Sequence, residues 1–453
     1  VGKICYNIHP VNYFIIHKGL TLMTHIWRNW SRSVSCEPSA FYAPTSQDDL
    51  IRLVKSAERD GKKIRVAGSG HSFTPVVASN DILISLQNYG GLLNVDKVGQ
   101  TATLKAGTTI KQAGELLFEH GLMQENLGDI NVQSLAGAIS TGTHGTGTGL
   151  GTIATQVVGM TLITGDGEVI TCSETENSDI FKAAQISLGT LGIISTLTLR
   201  LNRSYILRGE IRKSTLDKTL SDLETLKAQN RHFEFYAMPY SDKTQTRCFN
   251  IVSDAPKKDG IGRWMNEILL ENGVLWMLSA FNRAFPSNSA RIAKLIGTAV
   301  SDADYVNYAH RAFASTRLVK FQEMEYNIPA EHFTAALTEI LDTIRKDKHQ
   351  VHFPIECRFV KGDDIPLSPA YGRDSAYIAV HMFRGMEYRR YFEAIEAIFA
   401  RYGGRPHWGK MHTRNADDLA PLYPRWEFFQ GVRNITDPTR VFTTPYIGRL
   451  LGA

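Results

Sequence analysis

Arg65-Val-Ala-Gly-Ser-Gly-His-Ser-Phe73 is the stretch whose reading decides the fold. Lys63 to Ala67 has the β-branched, alternating character of a strand, and it runs directly into a turn, Gly68 to Ser72, with a histidine set between Gly70 and Ser72. N–H groups in a glycine turn converge on an anion, and the serine hydroxyls add donors without bulk. The spacing is not that of GxGxxG, because Phe73 stands where the third glycine belongs, so a doubly wound nucleotide domain is disfavoured. Ser140-Thr-Gly-Thr-His-Gly-Thr-Gly147 is a second stretch of the same kind, again with a histidine inside it. Either loop alone reads as a hairpin closure; together they are able to grip a pyrophosphate from both sides.

Outward from these loops the pattern is mixed. Ser46-Gln-Asp-Asp49 caps a helix that runs to about Asp60 and stops at Gly61. Strands are expected at 82–86, 92–95, 101–106, 157–164, 169–172 and 193–201, with helices at 109–120 and around 179–188. Many short strands with few helices point to an α+β fold. After Asn202 glycine thins out. Apolar helices rich in Trp, Leu and Ile are expected over 258–300, followed by a β-α-β-β-α order at 319–327, 330–346, 352–360, 376–382 and 387–402. The tail from Pro406 carries Trp408, Tyr423, Trp426, Phe428 and Phe429, too apolar for a loose end, and is expected to pack back on an earlier domain.

Composition narrows the function classes. The 453 residues include 50 Lys+Arg and 45 Asp+Glu, a net charge of +5 with no long run of one sign, which gives no nucleic-acid footprint. Glycine totals an ordinary 37, yet seven of them fall between Gly128 and Gly151. Five scattered cysteines without CxxC or paired His/Cys spacing argue against a disulfide framework or a metal site and fit a reducing, cytoplasmic setting. The apolar stretch Val11 to Met23 is shorter than the roughly 20 residues of a membrane span and lacks a cleavage pattern, so residues 1–22 read as a poorly packed extension. Each Gly-Lys pair lacks a following Ser or Thr, and neither HExxH nor GxSxG occurs.

Residues 65–73, 140–147, Gly189-Thr-Leu-Gly-Ile-Ile194 and Arg405-Pro-His-Trp-Gly-Lys410 together resemble the aldonolactone oxidase branch of the vanillyl-alcohol-oxidase-type flavoproteins, over about Trp27 to Leu450. The resemblance implies a PCMH-type FAD domain (23–203), a substrate domain (204–404) and a C-terminal segment (405–453) returning to the flavin. It implies that His71 bonds covalently to FAD, which raises the flavin potential, and that Gly68, Ser69, Gly70 and Ser72 hold the pyrophosphate. Ser140, Thr141, Gly142, Thr143, His144, Gly145 and Gly147 are expected to form the second grip, Ile193 to meet the adenine side, and His407 to sit at the flavin.

On the substrate side, Glu356 and Arg358 stand two apart in an apolar strand and so share one face. Buried charges there are costly unless paired or used. With the family's E-x-R at this place, Arg358 suits a developing alkoxide, Glu356 the sugar hydroxyls, and Lys410 the substrate oxygen or the reduced flavin. His381 reads as structural. Alditol-oxidising relatives tend to have serine where Ala138 stands, which tilts the reading towards a D-arabinono-1,4-lactone-like substrate with O2 as acceptor and H2O2 as product. The alternatives are alditol or other carbohydrate oxidation, a dehydrogenase serving a cytochrome or quinone, with the 258–300 helices as a docking or membrane-surface face, and a flavin-free carbohydrate-binding protein.

Overall fold

The computed structural model describes residues 26–256, 272–299, 301–314 and 317–453. The expected extension at 1–22 and part of the 258–300 stretch lie outside them. In the first half, Ser46 and Asp49 exchange side-chain and backbone hydrogen bonds in a capping box that starts the helix Gln47–Arg59. Leu50, Val54 and Ala57 line its buried face. Ala40–Tyr42 (β1), Ile64–Ala67 (β2) and Ile82–Ser85 (β3) form a parallel sheet in the order β1-β3-β2. Leu92–Asp96 (β4), Thr101–Lys105 (β5), Val157–Ile163 (β6), Val169–Ser173 (β7) and Ile193–Arg200 (β8) form an antiparallel sheet, β7-β6-β8-β5-β4.

The glycine-rich region contains a short helix that the sequence reading lacks, Leu135–Ser140, capped by the Ser134 hydroxyl on Gly137 N–H. Here a close approach makes glycine obligatory: a Cβ on Gly68 would lie 2.2 Å from Ser134 Oγ. The end of β2 is thereby pressed onto the start of this helix, and the two glycine-rich segments become neighbours.

The second half is an eight-stranded antiparallel sheet. Its strands are Ile206–Thr215 (β9), His232–Ala237 (β10), Lys243–Val252 (β11), Ala303–Tyr308 (β12), Phe321–Pro329 (β13), Ile355–Val360 (β14), Ser375–Phe383 (β15) and Arg405–Pro406 (β16), in the order β12-β9-β11-β10-β14-β15-β13-β16. The four strands β9 to β12 are absent from the sequence reading. β9 and β11 are polar on much of both faces and lack the apolar alternation that marks a half-buried strand. Helices Phe333–Lys346 and Arg389–Arg401 cover one face, burying Phe333, Leu337, Ile340 and Ile344 against Phe235, Ile355, Cys357 and Ile378.

Because strand side chains alternate, the other face of this sheet receives the intervening residues. They are Glu234 and Tyr236, Glu323 and Glu325, Glu356 and Arg358, and Tyr377 and His381, all buried. The C-terminal residues after β16 leave the sheet edge, and Trp408, Tyr423, Phe429, Ile447 and Leu450 join the core of the first half. Arg65 ties this return in place, donating to the carbonyls of Val76, Gly189, Phe442 and Leu188.

Candidate active site

Two cavities of about 880 and 1090 Å³, open mouths included, meet at His71, Ser72, Gln133 and Thr141, which line both. The smaller is walled by Gly68, Ser69, Gly70, Ser140, Gly189 and Ile193. Its loop is held by its carbonyls: Trp30 N–H donates to Gly70 O at 2.7 Å and the Asn29 amide to Ser72 O at 2.9 Å. Among the described residues the N–H groups of Gly70, His71 and Ser72 have no acceptor, which leaves them for an anionic guest. Gly70 adopts φ +69°, and a Cβ there would press on the Trp27 ring at 3.3 Å. This cradle fits a pyrophosphate, so the residues present fit FAD.

His71 stacks on Trp30 at 5.6 Å between ring centroids. Burial, with Lys410 and Lys320 adding like charge, pushes its pKa down to about 4, so the imidazole is neutral at neutral pH.

The second glycine-rich segment divides. Ser140 and Thr141 line the smaller cavity, Thr141, Thr143 and His144 the larger, while Gly142, Gly145 and Gly147 line neither. Gly147 N–H donates to Phe359 O at 2.7 Å and the Thr146 hydroxyl bonds the Phe233 carbonyl. At its far end Thr146 and Gly147 bridge to β10 and β14, so the Gly147 N–H is spent on the sheet. Ala138 is fully buried in the core and lines neither cavity, so the serine-to-alanine difference does not bear on substrate as expected.

The polar face of the sheet floors the larger cavity. Arg358 Nε donates to Glu234 at 2.7 Å, and Nη2 reaches Asp129 at 2.9 Å and Glu356 at 2.5 Å. Nη1 has no partner among the described residues and is open to the cavity. Arg317 holds the other Asp129 oxygen at 3.1 Å, Arg247 stands 3.8 Å from Glu234, and the Tyr236 hydroxyl donates to Glu356 at 3.1 Å. Three carboxylates are thus balanced by three guanidiniums. Burial raises the Glu234 carboxyl to about 7 despite Arg358, with Asp129 and Glu356 adding like charge. Burial acts on Asp129 too, yet Arg358 and Arg317 hold it below the ordinary carboxylate range.

Across the cavity Lys410 Nζ lies 2.5 Å from Glu323, whose carboxyl is pulled to about 2 because Lys410 and His381 outweigh burial. His381 Nδ1 faces Pro354 O at 3.2 Å, and its Nε2 stands 3.5 Å from Glu323 and 3.9 Å from Glu356. His144 bonds Gly145 O through Nδ1 and Glu325 through Nε2, at 2.9 and 3.2 Å. His407 Nδ1 accepts Gly409 N–H at 3.0 Å, and burial pushes its pKa down to about 3; the ring is neutral with its proton on Nε2. Among the described residues three groups have chelating spacing, His144–Glu325–His407, Glu323–Glu356–His381 and Asp129–Glu234–Glu356; in the second and third, Lys410 stands against Glu323 and the arginines against Asp129, Glu234 and Glu356.

Glu356, Arg358, Lys410 and His407 therefore converge as expected. Glu323, Glu325, Glu234, Tyr236, Asp129 and Arg317 are additions to the expected set, and His381, read as structural, also faces the cavity. The two-residue spacing that singled out Glu356 and Arg358 also holds for Glu323/Glu325 in β13 and Glu234/Tyr236 in β10. Asp129 and Arg317 come from loops, where no periodicity marks them.

A family model described as D-arabinono-1,4-lactone oxidase matches residues 197–450, and one described as FAD binding domain matches residues 38–173. The chain is 39% identical over 431 residues to an L-gulono-1,4-lactone dehydrogenase of Mycobacterium tuberculosis, covering 95% of this chain and 100% of that protein. It is 32% identical to an L-gulonolactone oxidase of Mus musculus, covering 94% and 98%. A D-arabinono-1,4-lactone oxidase of Yarrowia lipolytica is 25% identical, covering 92% and 95%. The crystal structure of cholesterol oxidase from Brevibacterium sterolicum shares the fold, with a TM-score of 0.80 over 98% of this chain and 99% of that one, at 18% identity.

Proposed function

The chain belongs to the D-arabinono-1,4-lactone oxidase family of FAD-dependent oxidoreductases acting on CH–OH groups, and from that premise we propose that it oxidises a sugar-1,4-lactone of the gulono type in the larger cavity. The gulono-type substrate is preferred to the arabinono type because the gulonolactone enzymes share 39% and 32% identity, against 25% for the arabinono-type relative. The observation that carries the reading is the open Nη1 of Arg358, presented with Glu356, His381 and Lys410 to a space that joins the glycine cradle at His71.

FAD, when bound, supplies a two-electron acceptor. Arg358 holds the substrate oxygen through Nη1, and its fixed charge stabilises negative charge developing there. His381, its Nδ1 on Pro354 O and its Nε2 set between Glu323 and Glu356 at the cavity wall, belongs to the imidazole–carboxylate group that receives the hydroxyl proton. Glu356, steadied by Arg358 and Tyr236, accepts hydrogen bonds from the remaining hydroxyls. Lys410 and the Nε2–H of His407, both lining the larger cavity, would help hold FAD there and would offer donors to the negative charge its reduction would bring. His71, neutral at the junction, is the residue through which FAD is covalently held.

O2 is the acceptor in the first reading, with H2O2 as product. A second, a protein or quinone acceptor, is favoured by the relative of 39% identity, which is named a dehydrogenase. Turnover of L-gulono- and D-arabinono-1,4-lactone, measured under air and under nitrogen with an artificial dye, tests both. H2O2 formed under air supports the first reading; turnover with the dye alone supports the second. No turnover of either lactone overturns the substrate assignment.

A further inference from the structure

The helix Leu275–Ala284 is inside out. Its buried positions are polar: Ser279 bonds His352 Nε2 at 2.8 Å, and the Asn282 amide meets His352 Nδ1 at 2.7 Å and Ser289 at 2.9 Å. Its solvent face is apolar, with Trp276, Met277, Phe281 and Phe285 each more than half exposed. Met277, Phe281 and Phe285 follow at four-residue intervals, so they form one stripe, and the two phenylalanine rings lie 5.1 Å apart. A surface helix of a soluble protein has the opposite arrangement, and an apolar patch of this kind marks a binding face. Exposed Leu318 adjoins it, its N–H bonded to Asn272 at 3.1 Å.

The charged side chains of this helix and the next are cationic. Residues 272–299 contain Arg283, Arg291 and Lys294 and no Asp or Glu. Arg283 lies over the Phe383 ring, beside Arg384 and Lys320, which are close enough with Arg32 to act on one another. Outward Trp, Phe and Met flanked by Arg283, Arg291, Lys294, Arg384 and Lys320 complement an anionic lipid surface, the rings entering the headgroup boundary and the cations its negative potential. The stripe itself carries no hydrogen-bonding group of the kind a protein interface sets among its apolar anchors, other than the indole N–H. No helix among the described residues is long and apolar enough to cross a membrane.

We propose that this helix and the turn after it dock the protein peripherally on an anionic bilayer. Leu275, on the inner flank, lines the larger cavity, so docking sets the cavity beside the lipid surface.

Co-sedimentation of the FAD-loaded protein with phosphatidylcholine vesicles, with and without phosphatidylglycerol, tests this. Expected are binding to the anionic vesicles that weakens with salt, a loss of at least ~10-fold on combining Phe281→Ser with Phe285→Ser, and a smaller loss for Arg291→Gln with Lys294→Gln. Flavin content and lactone turnover with a soluble dye should be unchanged in both variants, which separates docking from folding. Wild-type protein left in the supernatant, or phenylalanine variants that bind as well as wild type, overturns the proposal. A wild-type dimer that becomes monomeric in those variants, without vesicle binding, assigns the face to a second copy and overturns it equally.

Discussion

Arg358 shows how one buried side chain serves packing and chemistry together. Its Nε–H is bonded to Glu234 and its Nη2 is ion-paired with Asp129 and Glu356, which fixes the plane of the guanidinium, and Nη1 is left for a ligand. Arg358→Lys keeps a cation but cannot make this fork, so we expect flavin reduction by lactone to slow ~10²- to 10³-fold in anaerobic stopped flow. FAD content should remain at the wild-type level. Asp129→Asn acts through Arg358 and Arg317, and a milder ~10-fold loss in kcat/KM is expected, since mispositioning alone degrades rate. His71→Ala should release FAD into the supernatant after acid precipitation, whereas wild-type protein keeps its colour in the pellet; equal retention in both would remove His71 from the linkage. At this scale the sequence was informative where chemistry and spacing coincide, as in Glu356-x-Arg358 and the glycine-flanked His71. It was silent on Asp129 and Arg317, because a loop residue that meets its partner across some 190 to 230 positions leaves no local trace.

The elements that shape the site are β2 with its turn and the short helix Leu135–Ser140. Gly68→Ala would drive a methyl into Ser134 Oγ, at an overpacking cost of about 1–3 kcal/mol. We expect that variant to melt earlier and to retain less FAD, and Ser134→Ala in the same chain to restore much of both, since the remaining Ser134 Cβ contact is an ordinary 3.4 Å. Thermal melts of the single and double variants check this. The strands that floor the cavity were largely legible: β13, β14 and β15 were each foreseen within a few residues, and their alternation fixes which side chains face the substrate. The same rule, applied to Glu323/Glu325 and Glu234/Tyr236, reveals the rest of the polar face. The short helix escaped notice because Leu-Ala-Gly-Ala-Ile-Ser carries a central glycine and too few turns to show a period. Gly147 is a related case: composition marks a flexible turn but not whether an N–H faces a ligand or, as here, the Phe359 carbonyl of a strand.

For the molecule as a whole, buried titratable groups govern its response to acid. His232, His352, His407 and His412 are held neutral by burial, with pKa values pushed down to between about 3 and 4. The unfolded chain protonates these rings below about 6.5 and the folded chain does not, so stability falls as pH drops from there towards 4. Glu323, depressed to about 2, adds a further loss between about 4.5 and 2. Glu234, raised to about 7, and Asp363, raised to about 6, act in the opposite sense, losing stability as pH rises towards those values, as does Asp437, but with His71 the depressed histidines outnumber them. Melting temperature should therefore fall between pH 6.5 and 4; a flat or rising profile would show that these histidines are not buried as described. The central claim is that the two cavities meeting at His71 make one site for FAD and a sugar lactone. Its most direct test is to mix the purified yellow protein with L-gulono-1,4-lactone in the absence of oxygen and follow the flavin absorbance. Rapid bleaching is predicted; an absorbance unmoved by any sugar-1,4-lactone, or a purified protein without flavin, would contradict it.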